Sequence, residues 1–170
     1  MIVQEVLGNM ATYTNRYTGI DWLPIEWYET GKRIFRKNTL GGLEVAAKFL
    51  AAPHALQDGD ILLATNGILV VVQIVPCNCL TIAPQNNHQL ANICYEIGNK
   101  HLPLFMDEHL LITPYDAPLH RLLQAQGYLT SQEHRQLLHP LKTTVAPHNS
   151  VATGGSSLFT KIMNLTNAQD

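Results

Sequence analysis

Apolar positions in the first half of the chain come in short runs separated by turn residues. Met1–Leu7 ends at Gly8-Asn9, Ile34–Arg36 and Leu43–Phe49 flank Gly41-Gly42, and Ile61–Ala64 and Ile68–Val75 flank Thr65-Asn66-Gly67. Runs of this length, rich in β-branched residues, predict strands. Asn-Gly between two of them predicts a tight hairpin, because both residues tolerate positive φ. Asp58-Gly59-Asp60 predicts a further turn just ahead of a strand. The Ala-rich centre of Leu43–Leu50 suits a helix as well as a strand, and no other stretch of helical length precedes Pro76. Residues 1–75 therefore predict a small, β-rich domain.

Beyond Pro76 the pattern changes. Leu80–Ala83 predicts a strand, and Gln85–Lys100 a helix with Leu90, Ile93, Cys94 and Ile97 on one stripe. Two short strands, Leu104–Met106 and Leu110–Thr113, join across the polar Asp107-Glu108 tip. Asp116 can cap a second helix, Pro118 suits its first turn, Leu119, Leu122 and Leu123 line its face, and Gly127 stops it. Tyr128–Leu138 predicts a last strand. The order is β-α-β-β-α-β, a ferredoxin-like domain over residues 76–142. Thr, Ser, Asn and Gly then dominate, so residues 143–170 predict a flexible tail, whose Leu158–Leu165 could dock on a partner or fray. The fold class is α+β.

Composition narrows what such a chain can do. Of 170 residues 46% are apolar, enough for a packed core. A net charge of −2 without a basic stripe argues against nucleic-acid binding. The longest apolar runs are too short to span a bilayer. Met1-Ile2-Val3-Gln4-Glu5 lacks the basic start and apolar core of an export signal, which predicts a cytoplasmic protein. Three cysteines in a reducing compartment do not suggest a disulfide framework.

Eight histidines raise the question of metal. His54 and His88 sit beside turn residues, and His120 and His134 fall on polar faces, where solvation is the ordinary outcome. His101 differs: it follows Ile97 by four residues and Cys94 by seven, so the spacing places it on the apolar stripe at the very end of the first helix. A histidine near a helix C-terminus is also what the helix dipole favours. One imidazole makes no selective site, since a transition ion takes several ligands. A two-fold axis past the helix end would bring two copies of His101 together, with Gly98 leaving room for close approach and His139 and His148 as further ligands. Cys77-Asn78-Cys79 is a C-x-C pair, not the C-x-x-C loop of structural zinc sites. On a strand both side chains share a face, where they could bind a soft metal or pack beside Cys94 as small apolar residues. No G-x-S-x-G, H-E-x-x-H or phosphate-binding glycine loop is present. Asp107-Glu108 sits at a hairpin tip, where solvation is expected. The pattern predicts a non-enzyme.

The stretch Tyr95-Glu96-Ile97-Gly98-Asn99-Lys100-His101-Leu102-Pro103-Leu104 resembles the Y-E-L-G-N-R-H-x-P-L signature of the UreE family of urease accessory proteins, with Lys100 for the usual arginine. Arg36-Lys37-Asn38-Thr39, Gly42-x-Glu44, Leu56-x-Asp58-Gly59-Asp60, Pro114-Tyr115-Asp116 and Leu119-x-x-Leu122-Leu123 resemble further family segments, so the likeness runs over residues 1–140. It implies a peptide-binding-like β domain, a ferredoxin-like metal-binding domain, and a cytoplasmic homodimer. It implies that His101 of two subunits holds Ni²⁺, with Zn²⁺ and Cu²⁺ as substitutes, for delivery to apo-urease with an accessory GTPase. The tail holds only His148 where many relatives are His-rich, which implies one nickel per dimer. Ala117 follows Asp116 where some relatives carry histidines, which argues against an accessory copper-type site there. The alternative is a peptide-binding chaperone module with incidental metal binding.

Overall fold

The computed structural model describes residues 1–50, 55–138 and 140–141. The first half runs β1 (Ile2–Val3), β2 (Gly8–Asn9), β3 (Gly19–Ile25), a 3₁₀ turn (Trp27–Glu29), β4 (Ile34–Asn38), β5 (Glu44–Lys48), β6 (Asp60–Thr65) and β7 (Ile68–Ile74). These strands make two sheets, ordered β1-β5-β4 and β2-β6-β7-β3. Their facing sides bury one core that includes Val3, Leu23, Ile25, Val45, Phe49, Leu62, Val70 and Val72. The β6–β7 hairpin turns at Asn66 and Gly67, both left-handed at φ 50 and 77. The Ala-rich segment resolves as strand β5, antiparallel to β4.

β3 corrects the sequence reading, which assigned it no strand. Its seven residues pair in parallel with β7 although Pro24 sits near its end. Proline is tolerated because β3 is an edge strand, where a missing N–H breaks no ladder. Asp21 on β3 then organises the turn after β4. Its carboxylate accepts from Thr39 Oγ1 at 2.6 Å and from the Gly41 backbone N–H at 2.7 Å. A Cβ at Gly41 would stand 2.7 Å from that carboxylate, so any side chain there pushes Asp21 off these bonds.

The second half runs β8 (Cys77–Ala83), α1 (Asn87–Asn99), β9 (Phe105–Asp107), β10 (Leu110–Pro114), α2 (Ala117–Ala125) and β11 (Leu129–Arg135). The sheet order β11-β8-β10-β9, with each neighbour antiparallel, is the ferredoxin-like arrangement. Asn86 caps α1 by accepting from Gln89 N, and Asp116 caps α2 by accepting from Leu119 N. Both helices lie on one face of the sheet, burying Ile93, Ile97, Leu119 and Leu123 against Leu80, Ile82 and Leu111.

The other face meets the first half. Cys79, Phe105, Ile112 and Leu137 are buried there, and Trp27 packs on them with its ring edge-to-face on Phe105 at 5.8 Å. The Gln136 side-chain amide donates to the Ile74 carbonyl at 2.6 Å and to the Asp58 carboxylate at 3.4 Å. The junction thus has an apolar centre and a polar latch.

Candidate functional site

His101 is not the last residue of the apolar helical stripe. α1 ends at Asn99, Lys100 is its C-cap, and His101 follows in the left-handed conformation at φ 54. The His101 N–H donates to the Gly98 carbonyl at 2.9 Å, and the Leu102 N–H to the Ile97 carbonyl at 3.3 Å. These two bonds are the Schellman motif, which satisfies the orphan carbonyls of a helix end. Its usual hydrophobic contact is made as well, with Leu102 packed on the cluster that contains Ile97. The residue reversing the chain therefore has backbone bonds on both sides, and its side chain is exposed.

α2 ends in the same motif. Gly127 is left-handed at φ 78, its N–H donates to Gln124, and the Tyr128 N–H donates to the Leu123 carbonyl. That helix uses glycine, the residue with no Cβ to clash, and α1 uses histidine at the equivalent place. An imidazole is kept where the backbone prefers none, in a sequence whose other helix shows the unstrained solution.

Among the described residues a Cβ on Gly98 would meet nothing within 4 Å. Tyr95, one turn earlier, is 69% exposed. Ala91, Tyr95 and Gly98 make an exposed strip along α1 leading to His101. Among the described residues no three His, Cys, Asp or Glu side chains stand close enough to hold one ion. His139 and His148, the other anticipated ligands, lie outside the described residues, as do His54 and the whole of 143–170.

The cysteines divide between the two faces of the sheet. Cys77 and Cys79 share the face toward Trp27, with their sulfurs 3.7 Å apart. Cys94 packs with the helices on the opposite face, so the three thiols do not meet. All three are free. Burial, with the neighbouring Cys79 thiol and the Glu26 charge adding to it, pushes the Cys77 thiol up to about 12. Burial also raises Cys94.

The remaining histidines mostly stand as expected. His88 is exposed beside Asn92, and His134 is exposed beside Asn78. His120 is instead half-buried, edge-on to Tyr115, with a buried Nε2 that has no hydrogen-bond partner among the described residues. Asp107 is not merely solvated at its hairpin tip, since it pairs with Arg135 from β11. His109, which no spacing singled out, stands exposed at that tip and shares a cleft with Asn86, Asn87, Leu90 and Met106.

Comparison with known proteins covers nearly all of the chain. Residues 3–75 match the UreE urease accessory protein N-terminal domain, and residues 77–154 match the UreE urease accessory protein C-terminal domain. A urease accessory protein UreE of Flavobacterium johnsoniae is 40% identical over 167 residues, covering 97% of this chain and 99% of the relative. That of Acetivibrio thermocellus is 38% identical over 141 residues, covering 83% and 92%. One from Actinobacillus pleuropneumoniae is 32% identical, covering 85% and 80%.

Proposed function

The chain belongs to the UreE family of urease accessory proteins, which assist urease maturation and are not enzymes, and we propose that it acts there as a nickel metallochaperone. In this reading His101 from two subunits holds one Ni²⁺ at the two-fold axis of a homodimer. The ion is cargo, delivered in the cytoplasm to apo-urease in its assembly complex with an accessory GTPase. Among the described residues no helix is long and apolar enough to cross a membrane.

The observation that carries the reading is the histidine in the left-handed seat of the α1 Schellman motif. The motif fixes the backbone that bears the imidazole, while the side chain stays outward. One protomer supplies no cluster of three ligating side chains among the described residues, so a second copy is the economical source of the next ligand. The strip Ala91, Tyr95 and Gly98 is shaped for that copy: small residues let backbones approach, and Tyr95 supplies area. His148 and His139 extend the shell in this reading. Two fixed imidazoles with water or mobile histidines around them hold an ion and also release it, as a carrier must. Imidazole does not strongly discriminate among late transition ions, so Zn²⁺ and Cu²⁺ substitute.

Calorimetry tests the proposal. Wild-type protein should take up one Ni²⁺ per two chains, His101→Ala should lose that binding, and His148→Ala should weaken it less. Unchanged nickel affinity in His101→Ala would overturn the reading. Nickel and protons compete for imidazole nitrogen, so the affinity should fall on acidification.

A second activity can coexist in the first half. Its three-stranded sheet presents Ile34 on edge strand β4 and Ile2 on β1, 66% and 71% exposed. Exposed apolar edges suit strand addition by an extended peptide. Capture of urease subunits or accessory proteins by the intact protein, lost on Ile34→Lys, would support a peptide-binding role for this sheet.

A further inference from the structure

The nickel reading leaves one pair of metal-ligating side chains unused. Cys77 and Cys79 begin β8, two residues apart, so the pleat sends both thiols to one face. Their sulfurs are 3.7 Å apart. Two thiolates that share an ion at about 2.3 Å each stand about 4 Å apart in a planar three-coordinate shell and about 4.6 Å apart in a linear two-coordinate one, so the pair lies within a few tenths of an ångström of the three-coordinate bite.

The surroundings narrow the choice of ion. Cys79 is fully buried and Cys77 only partly, so one side of the pair is open to an entering ion. Trp27, Phe105, Ile112 and Leu137 line the rest. The Cys79 thiol donates only weakly, to the carbonyls of Cys77 at 3.2 Å and Arg135 at 3.6 Å, which an ion would replace at small cost. The Glu26 carboxylate acts on Cys77 through its charge and so favours a cation nearby. Yet among the described residues no third histidine, cysteine or carboxylate is near enough to complete a group of three. Zn²⁺ and Ni²⁺ want four or more ligands, whereas monovalent copper is soft, selects thiolates and is satisfied by two or three.

We propose that Cys77 and Cys79 form a chelating site for one Cu(I) ion per chain, on the face of the second sheet away from the helices and separate from His101. Binding forms two copper–sulfur bonds and releases both thiol protons to solvent, with no change in oxidation state. Because two protons leave per ion, the apparent affinity rises up to about 100-fold per pH unit while both thiols start protonated. A site of this kind would draw reduced copper away from the imidazole that carries nickel.

The test is anaerobic titration of the full-length protein with Cu(I), in competition with bicinchoninate. Wild type is expected to withdraw one equivalent per chain, His101→Ala and Cys94→Ser to withdraw the same, and Cys77→Ser to withdraw none. Cys77→Ser is preferred to a change at Cys79 because Cys77 is the less buried and its loss spares the core. X-ray absorption of the copper-loaded protein should show a sulfur-only shell of low coordination number. Failure of the wild type to compete, full uptake by Cys77→Ser, loss of uptake in His101→Ala, or nitrogen in the shell would each overturn the proposal. Zn²⁺ bound at the pair while Cu(I) is refused would overturn the choice of ion.

Discussion

Replacing His101 by glycine should make the protein more stable while depriving it of nickel. A left-handed L-residue costs roughly 1–2 kcal/mol relative to glycine in the same conformation, and histidine, being somewhat tolerant of that region, falls near the low end. Glycine returns part of this through the greater freedom of the unfolded chain, about 0.5–1 kcal/mol. The balance at φ 54 favours His101→Gly by up to about 0.5 kcal/mol. For a chain of this size that corresponds to a rise in Tm of up to about 2 °C. Nickel affinity should fall by at least about 100-fold, because losing a direct ligand outweighs the 10- to 100-fold effect of a second-shell change. Thermal unfolding of metal-free protein at fixed concentration, beside nickel calorimetry, measures both. The reverse exchange at the other helix end is the control: Gly127→His, at φ 78, should cost at least as much as His101→Gly gains and leave nickel binding alone. A less stable His101→Gly, or a Gly127→His without cost, would refute the claim that the imidazole is held at a backbone penalty.

Other consequences can be checked directly. Gly98→Leu should fold as well as wild type, since among the described residues nothing meets a Cβ there, and leucine is the better helix former by nearly 1 kcal/mol; sedimentation should show the proposed dimer weakened and nickel binding reduced with it. Gly41→Ala should destabilise by about 1–2 kcal/mol in urea unfolding, because its Cβ displaces the Asp21 carboxylate from its bonds to Thr39 and Gly41. Burial alone would raise the Glu29 carboxyl, but bonds from Lys37 and Lys32 and from the Glu26 N–H lower it from 4.5 to about 2. A carboxyl whose folded value lies below its unfolded one stabilises above the unfolded value and loses that contribution as pH falls through the folded one. Roughly 2–3 kcal/mol should therefore be present above pH 4.5 and lost toward pH 2. Urea midpoints should fall with pH across that window in wild type and fall less steeply in Glu29→Gln.

Much of the second half was legible because each device there is local. Asp116 caps, Gly127 stops a helix, and apolar residues recur at helical spacing, so the order of elements could be read directly. β3 was not legible because its warrant is distant: Leu23 and Ile25 are strand residues by virtue of β7, some fifty positions later, and Pro24 masks them. The end of α1 was misplaced for a related reason. Helices are seen to stop at glycine or proline, and His101 occupies the stop position without looking like a stop. The family was readable from the motif around His101, but the backbone geometry there was not, because the periodicity that reveals a helix runs on smoothly into a residue that has left it. Cys77 and Cys79 were correctly placed on one face, while the separation of Cys94 depended on which way the sheet turned.

The Gln136 latch bears on how cargo is aimed. Its amide ties the end of β11 to Ile74 and Asp58 of the first half, beside the aromatic contact of Trp27 with Phe105. These fastenings couple the two halves mechanically. If His101 carries the ion as proposed, whatever grips the first half also sets the direction in which that imidazole faces, and a partner steers the ion without touching its ligand.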